Sequence, residues 1–184
     1  MRLVIWTLTL CFITLNLHAE STHFETHVDK YGYPIDDPLY EDIRTWLDQE
    51  ERGLALFRLP DYEAAYPLLA EPARHGFKRA QHSLALMHLN GHSVEKNVLI
   101  GIALLGLAAE SGDRKLQREY DKSVNSLPKK YHKPVRDQTA YYIARYGMDV
   151  QGISCARVKL VGSNLKRMRC SKEPGQYQTW DWAP

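Results

Sequence analysis

Three observations predict an all-α fold: a short α-solenoid of about three helix pairs with a small C-terminal disulfide-closed β-hairpin. Six segments carry apolar residues at helical spacing, and each stops at a Gly or a Pro. A shift of 36 residues lays the small and apolar positions of one pair on those of the next. Between Cys155 and Cys170 the helical spacing gives way to alternation.

Residues 1–19 read as a signal peptide. Arg2 starts it, Leu3 to Leu17 is apolar, and Ala19 offers a small residue at the cut. The run is too short for a membrane span of about 20 apolar residues, so no transmembrane segment is expected after cleavage. Cys11 would leave with it, and Cys155 and Cys170 remain. Export and an even cysteine count favour a disulfide between them, and the expected location is periplasmic. Residues 20–37 form an extended acidic lead, rich in Gly, Pro and Asp near "YGYPIDDPLY". Residues 20–52 hold ten acids against three bases, while the chain as a whole carries a net charge of only +2. Bulk nucleic-acid binding is therefore not expected.

Residues 38–147 form the helical domain. "PLYEDIRTWLDQEERGLALF" has Leu39, Ile43, Trp46, Leu47, Leu54 and Phe57 near helical spacing. "DYEAAYPLLAEPARHG" follows, with Asp61 as a cap. Pro67 and Pro72 predict a kink or break inside it. "FKRAQHSLALMHLNG" stops at Gly91, and "EKNVLIGIALLGLAAESG" stops at Gly112. "DRKLQREYDKSVNSL" begins at the cap Asp113, and "KPVRDQTAYYIARYG" ends at Gly147. That makes three consecutive pairs.

The 36-residue shift places Ala65 on Gly101, Leu68 on Leu104, Leu69 on Leu105, Ala73 on Ala109 and Gly76 on Gly112. Small residues let helices approach, leucines fill between layers, and the last Gly supplies the left-handed turn that ends a helix. Two-helix units of this period stack, because one pair alone cannot bury its apolar face.

The stretch from Ala80 resembles a Sel-one-like repeat, a relative of the tetratricopeptide repeat. Ala80, Leu84, Ala85, Gly91, Val94, Leu104, Ala108, Ala109, Glu110 and Gly112 carry the likeness. The chain departs from the family pattern at His88 and Leu104, where an aromatic is usual or common, and at Ser93, where Gly is usual. The preceding unit, Gly53 to Gly76, is a degenerate copy with a shorter loop. The resemblance implies a curved scaffold that binds proteins or peptides, often exported in bacteria, and it implies no chemistry. It also implies that the first helix of each pair lines the concave face. That nominates Arg52, Leu56, His82, Met87 and His88 as partner contacts.

Residues 148–184 form a basic hairpin and a tail. With Gly162-Ser163 as a two-residue II′ turn, Lys159 faces Lys166, Arg157 faces Met168 and Cys155 faces Cys170. A bridge across that ladder closes a loop worth about 3 kcal/mol in the chain-entropy model. Ala156, Val158, Leu160 and Leu165 share the other face, which is expected to lie on the helices. Arg157, Lys159, Lys166, Arg167 and Arg169 form a basic ribbon. It suits an acidic partner or an envelope surface, and equally suits simple protection of sheet edges. Trp180 and Trp182 sit on one side of the tail, placed to dock on the chain itself or on a neighbour.

No cofactor, metal or catalytic group is expected. His88 and His92 have metal-binding spacing, but Gly91 between them ends a helix; His23 and His27 share the spacing in the lead. Asp36-Asp37 and Glu50-Glu51 are adjacent acids that point apart, and are expected to be surface charge. No phosphate loop, nucleophile elbow or zinc-protease motif occurs. The reading is an exported interaction scaffold or adaptor for an envelope protein or peptide. The alternative is an immunity or inhibitor protein that neutralises a toxin or enzyme.

Overall fold

A computed structural model describes residues 28–35 and 37–175. The expected signal peptide, His23, His27, Asp36, Trp180 and Trp182 lie outside the described residues. Within them, six helices precede one antiparallel hairpin: α1 (Glu41–Arg58), α2 (Tyr62–Arg74), α3 (Lys78–Asn90), α4 (Val98–Ala109), α5 (Arg114–Asn125), α6 (His132–Tyr146), β1 (Ile153–Lys159) and β2 (Lys166–Lys172).

Local chemistry sets the helix ends. Asp61, Asn97 and Asp113 cap α2, α4 and α5, accepting from the backbone N–H of Ala64, Ile100 and Lys115. Gly91 ends α3 in the left-handed region at φ +75. The two copies related by the shift share their junction geometry. Gly76 (φ +88) and Gly112 (φ +74) donate to the carbonyls of Ala73 and Ala109 at 3.1 and 3.0 Å. The next residues, Phe77 and Asp113, have nearly equal dihedrals, φ −68 ψ 110 and φ −71 ψ 118.

The core is built around α4. Every residue from Gly101 to Ala109 is buried, Leu104, Leu105 and Ala108 among them. Ala65, Leu69 and Ala73 of α2 and Ala80, Leu84 and Ala85 of α3 are also fully buried, whereas Leu68 is half-buried. Backbones approach closely where a side chain is missing. A Cβ at Gly101 would lie 2.6 Å from Leu89 Cγ, and one at Gly106 would lie 2.5 Å from Thr139 Cγ2 and 2.8 Å from a Tyr120 ring carbon. Gly101 thus seats α4 on α3, and Gly106 seats it under α5 and α6.

Several expectations change. α2 runs unbroken through Pro67 and Pro72. Each proline removes one donor, and the buried face of Ala65, Leu69 and Ala73 holds the helix together around the two lost bonds. The third pair is not a hairpin like the first two: α5 and α6 barely meet, and both pack on α4 instead. The described part of the lead is not simply extended. It turns at Asp29–Gly32 and closes a short antiparallel bridge between Val28 and Pro34.

The hairpin has the expected register, with Cys155 opposite Cys170, Arg157 opposite Met168 and Lys159 opposite Lys166, and the disulfide is formed. Its turn differs. Ser163 N–H donates to the Leu160 carbonyl, so Gly162 (φ +73) is the third turn residue, not the second, and Leu160 N–H donates to the Leu165 carbonyl across a four-residue loop. Its packing is also reversed. Ala156 and Leu165 are exposed, and Val158 and Leu160 are half-buried. The opposite face, with buried Ile153 and Lys172 at its open end, meets the helices. Ile153 fills the space over Gly76, where a Cβ would lie 2.7 Å from Ile153 Cγ1.

Ser93, where the resemblance expects Gly, holds φ +59. A left-handed conformation costs a residue with a Cβ about 1–2 kcal/mol, partly offset by the greater chain entropy that Gly loses on folding. Ser93→Gly is expected to stabilise the chain by about 0.5–1 kcal/mol, read as a higher midpoint in urea unfolding. An unchanged or lower midpoint contradicts the strain.

Candidate functional site

Two surfaces emerge: a helical face and the hairpin. On the first, α3 lies between α1 and α5, with one side-chain bridge to each. Arg79 pairs with Glu50 of α1, and His82 Nε2 lies 3.1 Å from Glu119 Oε2 of α5. Arg52 is exposed and pairs loosely with Asp48 at 3.6 Å, while Leu56 and His82 are half-buried. Met87 and His88 do not belong to this surface. Met87 is wholly buried and His88 is 6% exposed, because both point from α3 into the core. Of the five nominated contacts, Arg52, Leu56 and His82 therefore remain at the surface, and Arg79 and Glu119 reach it beside His82 on α3 and α5.

Polar groups beneath this face fix the helices. Glu50, expected at the surface, is buried, and its carboxylate accepts from Ala80 N–H at 3.2 Å in the first turn of α3. Burial raises its pKa above the usual carboxylate value, against the pull of Arg79. Glu51 does stay exposed, accepting from Lys30 Nζ and Tyr31 Oη at 2.6 Å each. Buried Lys78 donates to the Leu107 carbonyl at 3.1 Å and to Glu110 Oε2 at 2.8 Å, and burial lowers its pKa. Gln81 Nε2 donates to the carbonyls of Ala73 (2.8 Å) and Tyr146 (3.0 Å). Glu110 also accepts from Met148 N–H at 2.9 Å, at the start of the segment that leads to the hairpin.

The hairpin is held at its open end. Lys172 Nζ donates to the carbonyls of His75, at 3.3 Å, and Gln151, and lies 5.5 Å from the centre of the Trp46 ring. Burial pushes its pKa down to about 8. Its backbone N–H donates to Tyr33 Oη at 2.9 Å, which ties the lead to the hairpin. Trp46 stacks on His75 with ring centres 3.7 Å apart. Beyond this anchor the five ribbon residues are exposed, and they divide between the two faces. Arg157, Lys159 and Lys166 share the cysteine face, while Arg167 and Arg169 lie opposite Val158 and Ala156 on the other. Val161 is fully exposed at the tip and Leu165 is 70% exposed. Sequence reasoning placed Leu165 against the helices and gave Val161 no role. Their position between Lys159 and Lys166 was the available signal.

His88 on α3 and His92 just past its Gly91 stop both make aromatic contacts. His92 stacks on Tyr62 at 4.1 Å, and His88 meets Tyr66 edge-on at 6.4 Å. No group of three or more His, Cys, Asp or Glu placed to hold a metal occurs among the described residues. An open depression of about 400 Å³ at the hairpin tip is lined by Lys159 to Asn164. In it the Ser163 hydroxyl accepts from Leu165 N–H at 3.0 Å, a turn-stabilising bond.

Neither ring nitrogen of His88 has a hydrogen-bond partner, and burial lowers its pKa below 6.5. The unfolded chain therefore takes up the proton first as pH falls. His88 contributes its full stability above about pH 6.5 and loses it progressively below, by up to about 1.4 kcal/mol per pH unit. His88→Leu is expected to remove this component. The stability of the natural chain relative to the variant should fall between pH 7.5 and 5, measured by urea unfolding at each pH. A gap that does not change with pH contradicts this. Comparisons with family models, with curated proteins and with solved structures found no match.

Proposed function

We propose that this chain is an exported, periplasmic scaffold that binds an envelope protein or peptide through the face of α1, α3 and α5. The observation that carries the reading is the cross-bridging of α3 to both flanking helices, Glu50–Arg79 on one side and His82–Glu119 on the other. It gives an ordered surface with an exposed cation, a half-buried leucine and an imidazole, side chains of the kind that recognise a polypeptide. The Sel-one-like resemblance of residues 80–112 points to the same use. A disulfide persists in oxidising compartments, and no helix among the described residues is long and apolar enough to cross a membrane. Both are compatible with export.

The test is affinity capture from a cell-envelope extract by the purified chain, compared with Arg52→Glu/His82→Ala. Both side chains lie outside the closed core, so circular dichroism is expected to be unchanged. A retained protein should bind the variant at least tenfold more weakly, a difference of about 1.4 kcal/mol. Retention that ignores the substitutions, or no specific protein retained, contradicts the proposal.

A further inference from the structure

The basic hairpin lies outside the face assigned above, and edge protection does not account for all of it. Cations along a strand guard its edges, but that purpose gives no reason to place a bare Val161 at the outermost point. We infer that the hairpin tip seats in the interface of an anionic lipid bilayer.

Four features converge. The first is depth order. Val161 and Leu165 are exposed at the tip, and the Lys159–Lys166 pair follows directly behind them. At about 3.4 Å per residue, Lys159 stands about 7 Å behind Val161. That matches the shallow burial, about 5–10 Å, of apolar groups at the boundary of headgroups and acyl chains. The second is that cations occupy both faces of the ribbon, Arg157, Lys159 and Lys166 on one and Arg167 and Arg169 on the other. A protein partner covers one face of a ribbon, whereas lipid headgroups surround an inserted tip on every side. The third is charge. No acidic residue occurs between Ile153 and Lys172, and none of the five exposed cations has an ion pair among the described residues. Lys159 directly opposite Lys166 is an unfavourable cross-strand pair in water, and phosphate groups would relieve it. The fourth is mechanical. The Cys155–Cys170 bridge and the buried Lys172 and Ile153 clamp the open end, so the tip projects as a stiff element.

The experiment is co-sedimentation of the purified chain with phosphatidylcholine vesicles, with and without phosphatidylglycerol, at low and high salt. Two variants accompany it: one with Arg157, Lys159, Lys166, Arg167 and Arg169 changed to Glu, and Val161→Ser/Leu165→Ser. All seven positions lie on the hairpin beyond its anchor, and circular dichroism checks the fold. The chain is expected to partition about tenfold more onto the anionic vesicles and to be released by salt. The charge variant should lose this binding, and the tip variant should lose most of it. Equal partition onto both vesicles overturns the inference. So does a tip variant that binds like the natural chain, since charge alone would then act at a distance. If vesicles stay unbound while the hairpin variants lose an acidic protein captured from extract, the surface belongs to a protein and the inference falls.

Discussion

The first turn of α3 is the joint on which the rest of the structure depends. Three nearly consecutive polar residues each reach a different neighbour: Arg79 to Glu50 on α1, Lys78 to the end of α4, and Gln81 to the carbonyls ending α2 and α6. Both carbonyls that Gln81 reaches lie in the last turn of a helix, where the usual i+4 backbone donor is missing. Leaving such a buried acceptor without a partner costs about 1–3 kcal/mol. Apolar packing brings these helices together, but it is not directional. The hydrogen bonds select one arrangement from the many that would bury the same leucines.

The joint also sets where both surfaces stand. Glu50 and Arg79 bridge α1 to α3 beneath the helical face. Lys78 holds Glu110, which in turn accepts from Met148 at the entry to the hairpin segment. From there Gln151 and Ile153 reach the Gly76 turn, and Lys172 closes the far strand onto the His75 carbonyl. The hairpin is thus fixed at its base to the α2–α3 junction and unsupported at its tip. That asymmetry makes an exposed Val161 stable in place, because the anchoring interactions do not involve it.

Much of this was legible in the sequence. The register of the hairpin follows from alternation plus two cysteines, since one slip would put them on opposite faces. The buried positions of α2 and α4 follow from small residues coinciding at a fixed shift. The joint was not legible, because Lys78, Arg79 and Gln81 beside a Gly-Phe turn read as an ordinary polar helix start. Only tertiary packing reveals that acceptors from four other helices converge there. His88 was nominated as a partner contact because it lies on the first helix of a pair, yet it occupies a core position against Tyr66. Alternation grouped Ala156, Val158, Leu160 and Leu165 correctly on one face. It carried no information on which face turns inward, which Ile153 and Lys172 decide. The last two helices looked like a third pair by spacing alone, but the close seat at Gly106 packs both on α4, where Tyr120 and Thr139 are their meeting point.

The most direct measurement replaces Gln81 with Leu, which keeps the volume and removes both donors. If the joint governs the fold, urea unfolding should show a loss of about 2 kcal/mol. Amide exchange should rise chiefly at the end of α6 and across residues 147–153, with α1 little changed. Stability within about 0.5 kcal/mol of the natural chain, or exchange that rises uniformly, would contradict it.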